Sequence, residues 1–402
     1  MSIPILEYVD ELPARADLVV VGGGIVGCAT AFFASRAGLD VVVLERRPAL
    51  ATLTTPVSTG AFRLQFDNPD EIAMVREGIA LFDHFAERTE LDGWDLALRH
   101  GGYLFCSLTD ATLDRSRRLV ERQQAWGLTD VELLSGDEAR YRWPWLSPAV
   151  LGGRYRAGDG WLDPRRLAVG YARASRAAFC TGTEVTGFRV TDDGSRLLGV
   201  QTERGAISAD AVVIAAGPFT AQVAALAGLH LEIAATRRQK LVMPDLSAIP
   251  ADAPMTIEEE TAAHWRPALG GCLALWTDPE TPPSQPADAL PIDPGWAFEL
   301  LDPASDHALA RVAPFWADVW REGTVSWSLQ AGQYETTPDR RPYLGPGGPQ
   351  GLYVNGGYSG HGIMASAAGS RLVVDLLAAR ADPGTNPFRT DRPMTSREHD
   401  IL

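Results

Sequence analysis

Three glycines and one glutamate near the start of the chain have the types and spacing of a dinucleotide-binding site. Gly22, Gly24 and Gly27 form the pattern G-x-G-x-x-G, and Glu45 ends the apolar run that follows. The first glycine permits a sharp turn, the second lets the backbone approach a pyrophosphate, and the third lets a helix pack closely on a strand. Glu45 can accept hydrogen bonds from a ribose diol. These residues predict a bound dinucleotide and not merely a structural glycine turn.

The glycines lie in a strand–turn–helix–strand pattern that would hold them in place. Residues 17–21 form a β-branched apolar run typical of a buried strand, and 41–44 form a second one. Residues 25–37 are small and apolar, as in a helix packed on a sheet, and Gly38 ends them. The start of that helix would offer free N–H groups to phosphates. A glycine pattern alone is weak evidence, and this order of elements makes it specific.

Composition limits the class of protein. The 402 residues can bury a large core and suggest two domains, and the net charge of −15 argues against nucleic acid or an anionic membrane as the partner. The acidic stretch before residue 18 does not resemble a secretory signal, and the glycine turn divides the only long apolar segment near it. The four cysteines, Cys28, Cys106, Cys180 and Cys272, form no C-x-x-C pair. We therefore expect a reduced, cytoplasmic protein with no metal site. Because the apolar segment is divided, we also expect no membrane span.

Local signals predict several further elements. Helix starts are expected at Asn68, at Thr109, at Ser135 with Glu138 as a capping box, and at Asp163 before a proline. Residues 184–190 and 196–201 read as a hairpin, 211–217 as a buried strand, 305–321 as a helix, and 324–333 as a strand. The proline-rich acidic segment 277–294 reads as a surface loop.

The order of these elements predicts an α/β protein, α+β overall, in which the nucleotide-binding domain is discontinuous. Residues 1–90, 150–230 and 335–380 would form a Rossmann-like FAD-binding domain. Residues 91–149 and 231–334, with short alternating strands after 231, would form an inserted, mostly antiparallel substrate domain. The segment 381–402 reads as a loose polar tail.

Two later glycine turns favour FAD over NAD. Ala216 and Gly217 end the mid-chain strand, and Gly360 precedes the last predicted helix. A protein that encloses FAD benefits from three approaches: one to the pyrophosphate, a second beside it, and a third at the flavin ring, where negative charge develops on reduction. An NAD enzyme needs only the first.

At this point the sequence resembles the D-amino acid oxidase superfamily, in the branch of sarcosine oxidases, dimethylglycine dehydrogenases and glycine oxidase. The resemblance covers nearly the whole chain and is carried by VVVGGGIVGCATAFFASRAGLDVVVLER, GWLDPRRLAVGYARAS, ADAVVIAAGPFT, YETTPDRRPYLG and VNGGYSGHGIMASAAG. It implies bound FAD and oxidation of an amine or amino acid by hydride transfer from the carbon next to nitrogen to flavin N5, which gives an imine.

The resemblance also implies roles for individual residues. Arg63 would bind the substrate carboxylate, and His361 and Tyr334 would lie in the substrate pocket. The residues matched to cofactor contacts are Gly22, Gly24, Gly27, Glu45, Arg46, Ser58, Thr59, Gly60, Val185, Ala216, Gly217, Asp339, Gly360, His361, Gly362, Ile363 and Met364. The residues themselves leave open a salt-bridging role for Arg63, a core position for Tyr334 and a capping role for His361.

Three departures from the family pattern narrow the expectation. Gly332 stands where some sarcosine oxidases have the cysteine that attaches FAD, so we expect non-covalent FAD. Leu275 stands where a lysine assists the reaction with oxygen, so its presence disfavours a rapid reaction with oxygen. The expected electron acceptor is either oxygen or an electron-acceptor protein or quinone. Met364 replaces a second lysine, which disfavours sarcosine itself and favours another secondary or N-substituted amino acid.

Two other functions fit the same residues. A flavin dehydrogenase of 2-hydroxy acids would need a base for the hydroxyl proton, and His361 is the candidate for it. A non-catalytic FAD-containing subunit of an electron-transfer complex would use the acidic surface to bind its partner. Amines and hydroxy acids tested as reductants of the flavin would separate these functions from amine oxidation.

Overall fold

Two large sheets, one mainly parallel and one mainly antiparallel, organise the chain in a mixed α/β fold. The computed structural model describes residues 6–278, 280–323 and 325–394. Within these residues, no helix is both long and apolar enough to cross a membrane. The helices are α1 (Ile25–Arg36), α2 (Pro69–Asp83), α3 (Phe85–Thr89), α4 (Asp110–Ala125), α5 (Gly136–Arg142), α6 (Pro164–Ala174), α7 (Thr220–Ala225), α8 (Pro294–Leu301), α9 (Phe315–Glu322) and α10 (Gly362–Leu377).

The strands are β1 (Arg15–Val21), β2 (Val41–Leu44), β3 (Ala61–Phe62), β4 (Tyr103–Ser107), β5 (Glu132–Ser135), β6 (Gly152–Arg156), β7 (Gly160–Trp161), β8 (Ala178–Cys180), β9 (Val185–Val190), β10 (Leu197–Thr202), β11 (Gly205–Ile214), β12 (Ala234–Met243), β13 (Met255–Glu258), β14 (His264–Ala268), β15 (Gly271–Leu275), β16 (Pro283–Ser284), β17 (Ser328–Thr336), β18 (Tyr343–Pro346) and β19 (Leu352–Gly356). The two-residue strands β3 and β7 pair with each other, outside the large sheets.

The first sheet has the order β18-β19-β11-β1-β2-β8, and the antiparallel pair β9–β10 extends it from β11. Strands β8, β2, β1, β11 and β19 are parallel to one another. Leu18 and Val20 of β1 belong to the core that contains α1 and α10, and Val19 and Val21 belong to the core on the opposite face. Because both faces of β1 are covered over residues 18–21, that part of the strand is a continuous apolar run.

The second sheet has the order β16-β12-β15-β14-β13-β4-β6-β5, with β17 also paired to β12. All of its pairs are antiparallel except β4 with β13, as predicted for a mostly antiparallel sheet. Strand β6 lies within the segment 150–230 that the sequence assigns to the FAD-binding domain, yet it pairs with β4 and β5. We therefore propose that this domain boundary follows Arg156.

The predicted helix starts are confirmed where a side chain caps the first turn. Asn68 accepts a hydrogen bond from the backbone N–H of the third residue of α2, and Thr109 and Ser135 form capping boxes at α4 and α5. Asp163 accepts from two backbone N–H groups at the start of α6, with a proline at the first helical position. These local bonds satisfy N–H groups that have no partner inside the helix.

The predicted helix over 305–321 is wrong. The segment contains a 3-10 turn at Leu309–Arg311, and α9 begins only at Phe315. Pro314 separates them, because proline has no backbone N–H and its ring clashes with the preceding helical turn. Helix α8 was not predicted from the sequence. Asp293 caps this helix by accepting a hydrogen bond from the backbone N–H of Gly295.

The C-terminal segment is not a loose tail where the structure describes it. Asn386, Phe388 and Arg392 are buried, and the Asn386 side chain donates to the carbonyl of Leu344 in β18. Arg392 pairs with both carboxylate oxygens of Asp339, at 2.7 and 2.8 Å. A buried ion pair needs such paired geometry to offset its loss of hydration. The predicted tail beyond residue 394 lies outside the described residues.

Candidate active site

A cavity of about 380 Å³ runs between the first sheet and the β12–β17 edge of the second. Its wall is built from the ends of β1, β2 and β11, the segment 51–58, and the start of α10. Most of the residues predicted to contact the cofactor line it: Gly22, Gly24, Glu45, Arg46, Ser58, Val185, Ala216, Gly217, Gly360, Gly362 and Ile363, together with Tyr334.

One end of the cavity has the shape that a pyrophosphate needs. Gly22 has φ +111°, and a Cβ on Gly27 would lie 1.8 Å from the Gly22 carbonyl oxygen, so neither position accepts a side chain. A Cβ on Gly24 would meet only Thr55 Oγ1, at 3.7 Å. Helix α1 has no side-chain cap and no acidic residue in its first turn. The backbone N–H of Ile25 donates to Thr55 Oγ1 at 3.2 Å. The positive end of the helix dipole therefore faces the cavity without an acidic side chain to neutralise it.

Glu45 stands at the end of β2, beside this turn. Its Oε2 accepts from the backbone N–H of Gly23 at 2.7 Å, and its Oε1 accepts from that of Arg47 at 2.8 Å. Burial raises the pKa of Glu45, and the two backbone donors oppose that rise. A carboxylate has about four acceptor positions. Glu45 thus keeps capacity for the hydroxyl groups of a ribose.

Arg46 and Arg47 connect the cavity to the predicted surface loop. Both guanidinium groups pair with Asp288, at 2.5 and 2.9 Å. Arg46 also stacks on the ring of Phe219, 3.9 Å from its centre, in a cation–π contact. The part of the loop around Asp288 is therefore held against the nucleotide end of the cavity.

The opposite end is formed by the turn into α10. Gly360 has φ +95°, and a Cβ there would lie 2.7 Å from the Tyr334 ring. Gly217 belongs to the other end, because Ala215 and Ala216 just before it lie against Gly22; it has φ +54° and open space where a Cβ would stand. Helix α10 has neither a side-chain cap nor an acidic residue in its first turn. This end therefore presents a second uncapped helix start toward the cavity, suited to negative charge.

Arg63 lies behind this turn, after β3, and its residue surface is only 3% exposed. Its Nη1 donates to the carbonyl of Gln65 at 3.0 Å, and the guanidinium packs 4.5 Å from the centre of the Phe66 ring. Burial lowers the pKa of Arg63 to about 10. The group remains a cation at neutral pH in a poorly hydrated place.

His361 lies between Arg63 and Glu71. The distance from Arg63 Nη2 to His361 Nε2 is 3.3 Å, and that from His361 Nδ1 to Glu71 Oε1 is 3.8 Å. An arginine can only donate, so we assign Nε2 as the acceptor and place the ring proton on Nδ1. In this arrangement His361 is neutral, and its lone pair is engaged by Arg63.

Several residues predicted to contact the cofactor are not on the cavity wall formed by the described residues. Gly27, Gly60, His361 and Met364 are not among its lining residues, and neither is the predicted substrate ligand Arg63. Thr59 accepts through its carbonyl from Arg266. The family resemblance predicts a cofactor contact for Asp339, but in the structure its carboxylate forms an ion pair with Arg392. Its observed contacts support the turn before β18 and the C-terminal segment.

Sequence reasoning missed five charged residues that line the cavity: Arg47, Glu184, Arg238, Lys240 and Glu335. Arg238 lies over the Tyr334 ring, 5.7 Å from its centre. Lys240 and Glu335 are both buried within strands of the second sheet. A charged residue in an otherwise apolar strand, as in the segment KLVM, is a signal that could have identified Lys240.

Glu335 is a buried carboxyl that titrates near neutrality. It accepts from Thr220 Oγ1 at 3.4 Å and from the backbone N–H of Tyr358 at 3.5 Å. Burial raises its pKa from 4.5 to about 7. The folded state therefore binds a proton more tightly than the unfolded state, and this contribution to stability is lost as pH rises through 7.

We predict that Glu335→Gln removes part of the pH dependence of stability. Between pH 5 and pH 8 the free energy of unfolding of the wild type should fall by about 2 to 3 kcal/mol more than that of the variant. Urea unfolding of FAD-depleted protein at the two pH values measures the difference. Glu258, whose pKa burial also raises to about 7, is present in both proteins and cancels. Equal falls in both proteins would contradict the assignment.

The fold and the cavity fit one class, a dinucleotide-binding protein whose extended site lies between two large sheets. Comparison with known proteins gives the family. The family model described as FAD dependent oxidoreductase, DAO, matches residues 17–376, and the chain belongs to this family. The predicted resemblance, the cofactor FAD and the enzyme class are confirmed.

Relatives by sequence include FAD-dependent oxidoreductase domain-containing protein 1 of Xenopus laevis, 27% identical over 92% of this chain and 80% of that protein. Human mitochondrial sarcosine dehydrogenase is 28% identical over 96% of this chain. The chain spans only 43% of the length of that dehydrogenase.

Solved structures show the same fold. Glycine oxidase from Geobacillus kaustophilus has a TM-score of 0.80 and 25% identity, over 95% of this chain and all of that one. L-proline dehydrogenase from P. horikoshii also has a TM-score of 0.80, with 23% identity over 94% of this chain and 96% of that one. The two-sheet architecture is therefore shared across nearly the full length of the chain.

Proposed function

We propose that the protein oxidises a secondary or N-substituted amino acid at the C–H bond next to nitrogen, giving an imine. The observation that carries the proposal is the buried Arg63 cation, which does not itself line the cavity but contacts His361 in the turn into α10, and the neighbouring Gly360 and Gly362 of that turn do line it. The relatives named above act on sarcosine, glycine and L-proline according to their names, and all three are amino acids.

FAD would lie extended along the cavity. The α1 turn would hold its pyrophosphate, Glu45 its ribose, and the α10 turn the ring. When bound, FAD supplies the acceptor for two electrons and one hydrogen from the substrate carbon. Among the described residues that line the cavity there is no cysteine, and Gly332 occupies the predicted attachment position. We therefore propose that FAD is bound non-covalently.

Arg63 would anchor the substrate carboxylate. A guanidinium presents paired N–H donors that match the two oxygens of a carboxylate. Because Arg63 is buried, a bound carboxylate would neutralise a charge that is poorly hydrated. This contact would orient the neighbouring C–H bond toward the cavity, where Tyr334 and Gly360 form the wall. Orientation of this kind is an expected contribution of the protein to the reaction.

The tautomer assigned to His361 disfavours this residue as the base that a hydroxy-acid dehydrogenase would need. Oxidation of a hydroxyl group needs a base for the hydroxyl proton. The His361 lone pair already accepts from Arg63, and the ring proton points toward Glu71. Removal of the hydroxyl proton by His361 would therefore require breaking its contact with Arg63.

Anaerobic mixing of the FAD-bound protein with candidate substrates tests the proposal. N-methylglycine, N,N-dimethylglycine, L-proline and glycine represent amines, and lactate and glycerol 3-phosphate represent hydroxy compounds. The absorption band of oxidised flavin lies at about 450 nm. We expect at least one amine to bleach this band and neither hydroxy compound to do so. Bleaching by the hydroxy compounds alone, or by none of the six, would overturn it. Comparing the rate at which air reoxidises the reduced flavin with the rate at which a quinone does so would then identify the class of electron acceptor.

A further inference from the structure

Lys240 is the only lysine of the chain; the other 35 of its 36 basic residues are arginines. It lies in β12, is 5% exposed, and lines the cavity. Lysine and arginine differ chemically in one respect that matters here: a buried lysine can lose its proton near neutral pH, and an arginine cannot. The single position that keeps lysine is therefore inside the proposed active site.

Two backbone carbonyls hold the Lys240 side chain. Its Nζ donates to Pro56 O and to Ser58 O, each at 3.2 Å. These carbonyls belong to the segment that runs along the cavity wall before β3. A neutral amine has two N–H donors and one lone pair, so two acceptors satisfy both donors. The remaining tetrahedral position holds a lone pair or a proton, according to charge.

The strand register places Lys240 on the cavity face of the second sheet. Leu241 of β12 pairs with Ala274 of β15, so Lys240 stands across from Leu275, the residue that also lines the cavity. Residues directly opposite on paired strands point to the same face. Lys240 and Leu275 thus face the same space as Tyr334.

The charges around Lys240 favour its neutral form. Burial is the main cause that lowers the pKa of Lys240, the charges of Arg266 in β14 and Arg165 in α6 contribute, and Asp163 opposes them, which together give a pKa of about 8. No carboxylate pairs with Lys240 in the part of the chain that the structure describes. An amine in this setting exchanges its proton near neutral pH.

We propose that Lys240 is a catalytic residue that accepts the proton of the substrate ammonium group before oxidation; this rests on the proposed function. The substrate N–H bond breaks, and a new N–H bond forms on Lys240 Nζ. The electron pair of the broken bond stays on the substrate nitrogen. That pair then forms the C=N bond as hydrogen and two electrons leave the adjacent carbon for FAD.

Because the chain has one lysine, its protonation can be measured without any turnover. Protein carrying 13Cε-lysine should give a single side-chain signal by NMR. In the FAD-bound, substrate-free protein we expect this signal to titrate with a midpoint near pH 8. A midpoint at the ordinary lysine value of about 10.4 would overturn the proposal, because such an amine would be fully protonated at neutral pH.

Two variants distinguish a role of Lys240 as a proton acceptor from a role of its positive charge. Lys240→Gln keeps two N–H donors for the carbonyls of Pro56 and Ser58 without a titrating nitrogen, and Lys240→Arg keeps the charge. With the amine that reduces the flavin fastest, we expect both variants to reduce it about 100-fold more slowly at pH 7. The deficit should shrink about tenfold for each pH unit above 8, since the free-base substrate becomes available from solution.

The outcomes are distinguishable. If Lys240→Arg reduces the flavin at the wild-type rate, Lys240 acts as a cation and the base role is overturned. If Lys240→Gln keeps the wild-type pH profile, Lys240 takes no part and the proposal alone fails. If no amine reduces the wild-type flavin, the proposed function fails and the Lys240 role with it. FAD content and melting temperature of each variant show whether the fold is retained.

Discussion

Replacing Gly24 with valine is expected to leave the fold intact and to raise the dissociation constant for FAD about 1,000-fold, which is about 4 kcal/mol. Inside the protein, a Cβ at this position meets only Thr55 Oγ1, at 3.7 Å. The added side chain would instead occupy the space next to the start of α1 where the pyrophosphate belongs. The loss corresponds to about two hydrogen bonds between backbone N–H groups and a charged partner, each about 1.5–3 kcal/mol.

Two other glycines provide the controls. Gly187 in β9 is as open as Gly24, with its nearest neighbour Gln201 Cβ at 3.9 Å, but it lies away from the cavity. Gly187→Val should therefore bind FAD like the wild type. Gly27→Ala should lose stability, because its Cβ would lie 1.8 Å from the Gly22 carbonyl. Flavin fluorescence titration gives the affinity, and circular dichroism gives the fold. A Gly24→Val protein with wild-type FAD affinity would contradict the assigned cofactor position.

Local signals in the sequence were sufficient for much of the fold. The helix starts at Asn68, Thr109, Ser135 and Asp163 depend on a side chain and a backbone N–H two or three residues apart. The β1–α1–β2 unit depends on glycines within one turn. Such contacts are fixed by neighbouring residues, so their pattern is visible in the sequence itself.

Contacts between distant residues were not visible. The Asp339–Arg392 pair orders a segment that reads as a loose tail, although nothing near either residue indicates the other. In the site, the glycine turns are locally encoded, whereas a common site for Arg63 and His361 was expected only from the family resemblance, and their direct contact was not predicted. Lys240 was missed because its two acceptors are backbone carbonyls far away in sequence, and any residue type supplies those.

Replacing Arg63 with alanine is expected to lower kcat/KM for amino acids about 1,000-fold. Truncating one partner of a buried, hydrogen-bonded charge pair costs about 2–5 kcal/mol, and the substrate carboxylate would be the partner left without its cation. Amines of similar size that have no carboxylate do not use this contact, so their kcat/KM should change little. The selectivity between the two kinds of substrate, rather than the size of the loss, is the result that assigns the role.

The same arginine also packs on Phe66 and donates to Gln65, so its removal can loosen the protein without any role in binding. Arg63→Lys separates these effects: it keeps a positive charge and an apolar stem but loses the paired donors, and it should recover only part of the loss. Steady-state kinetics with N-methylglycine and with dimethylamine, at matched FAD content, measure the two substrates. An equal loss for both would mean that Arg63 holds the α10 turn through His361 and binds no carboxylate.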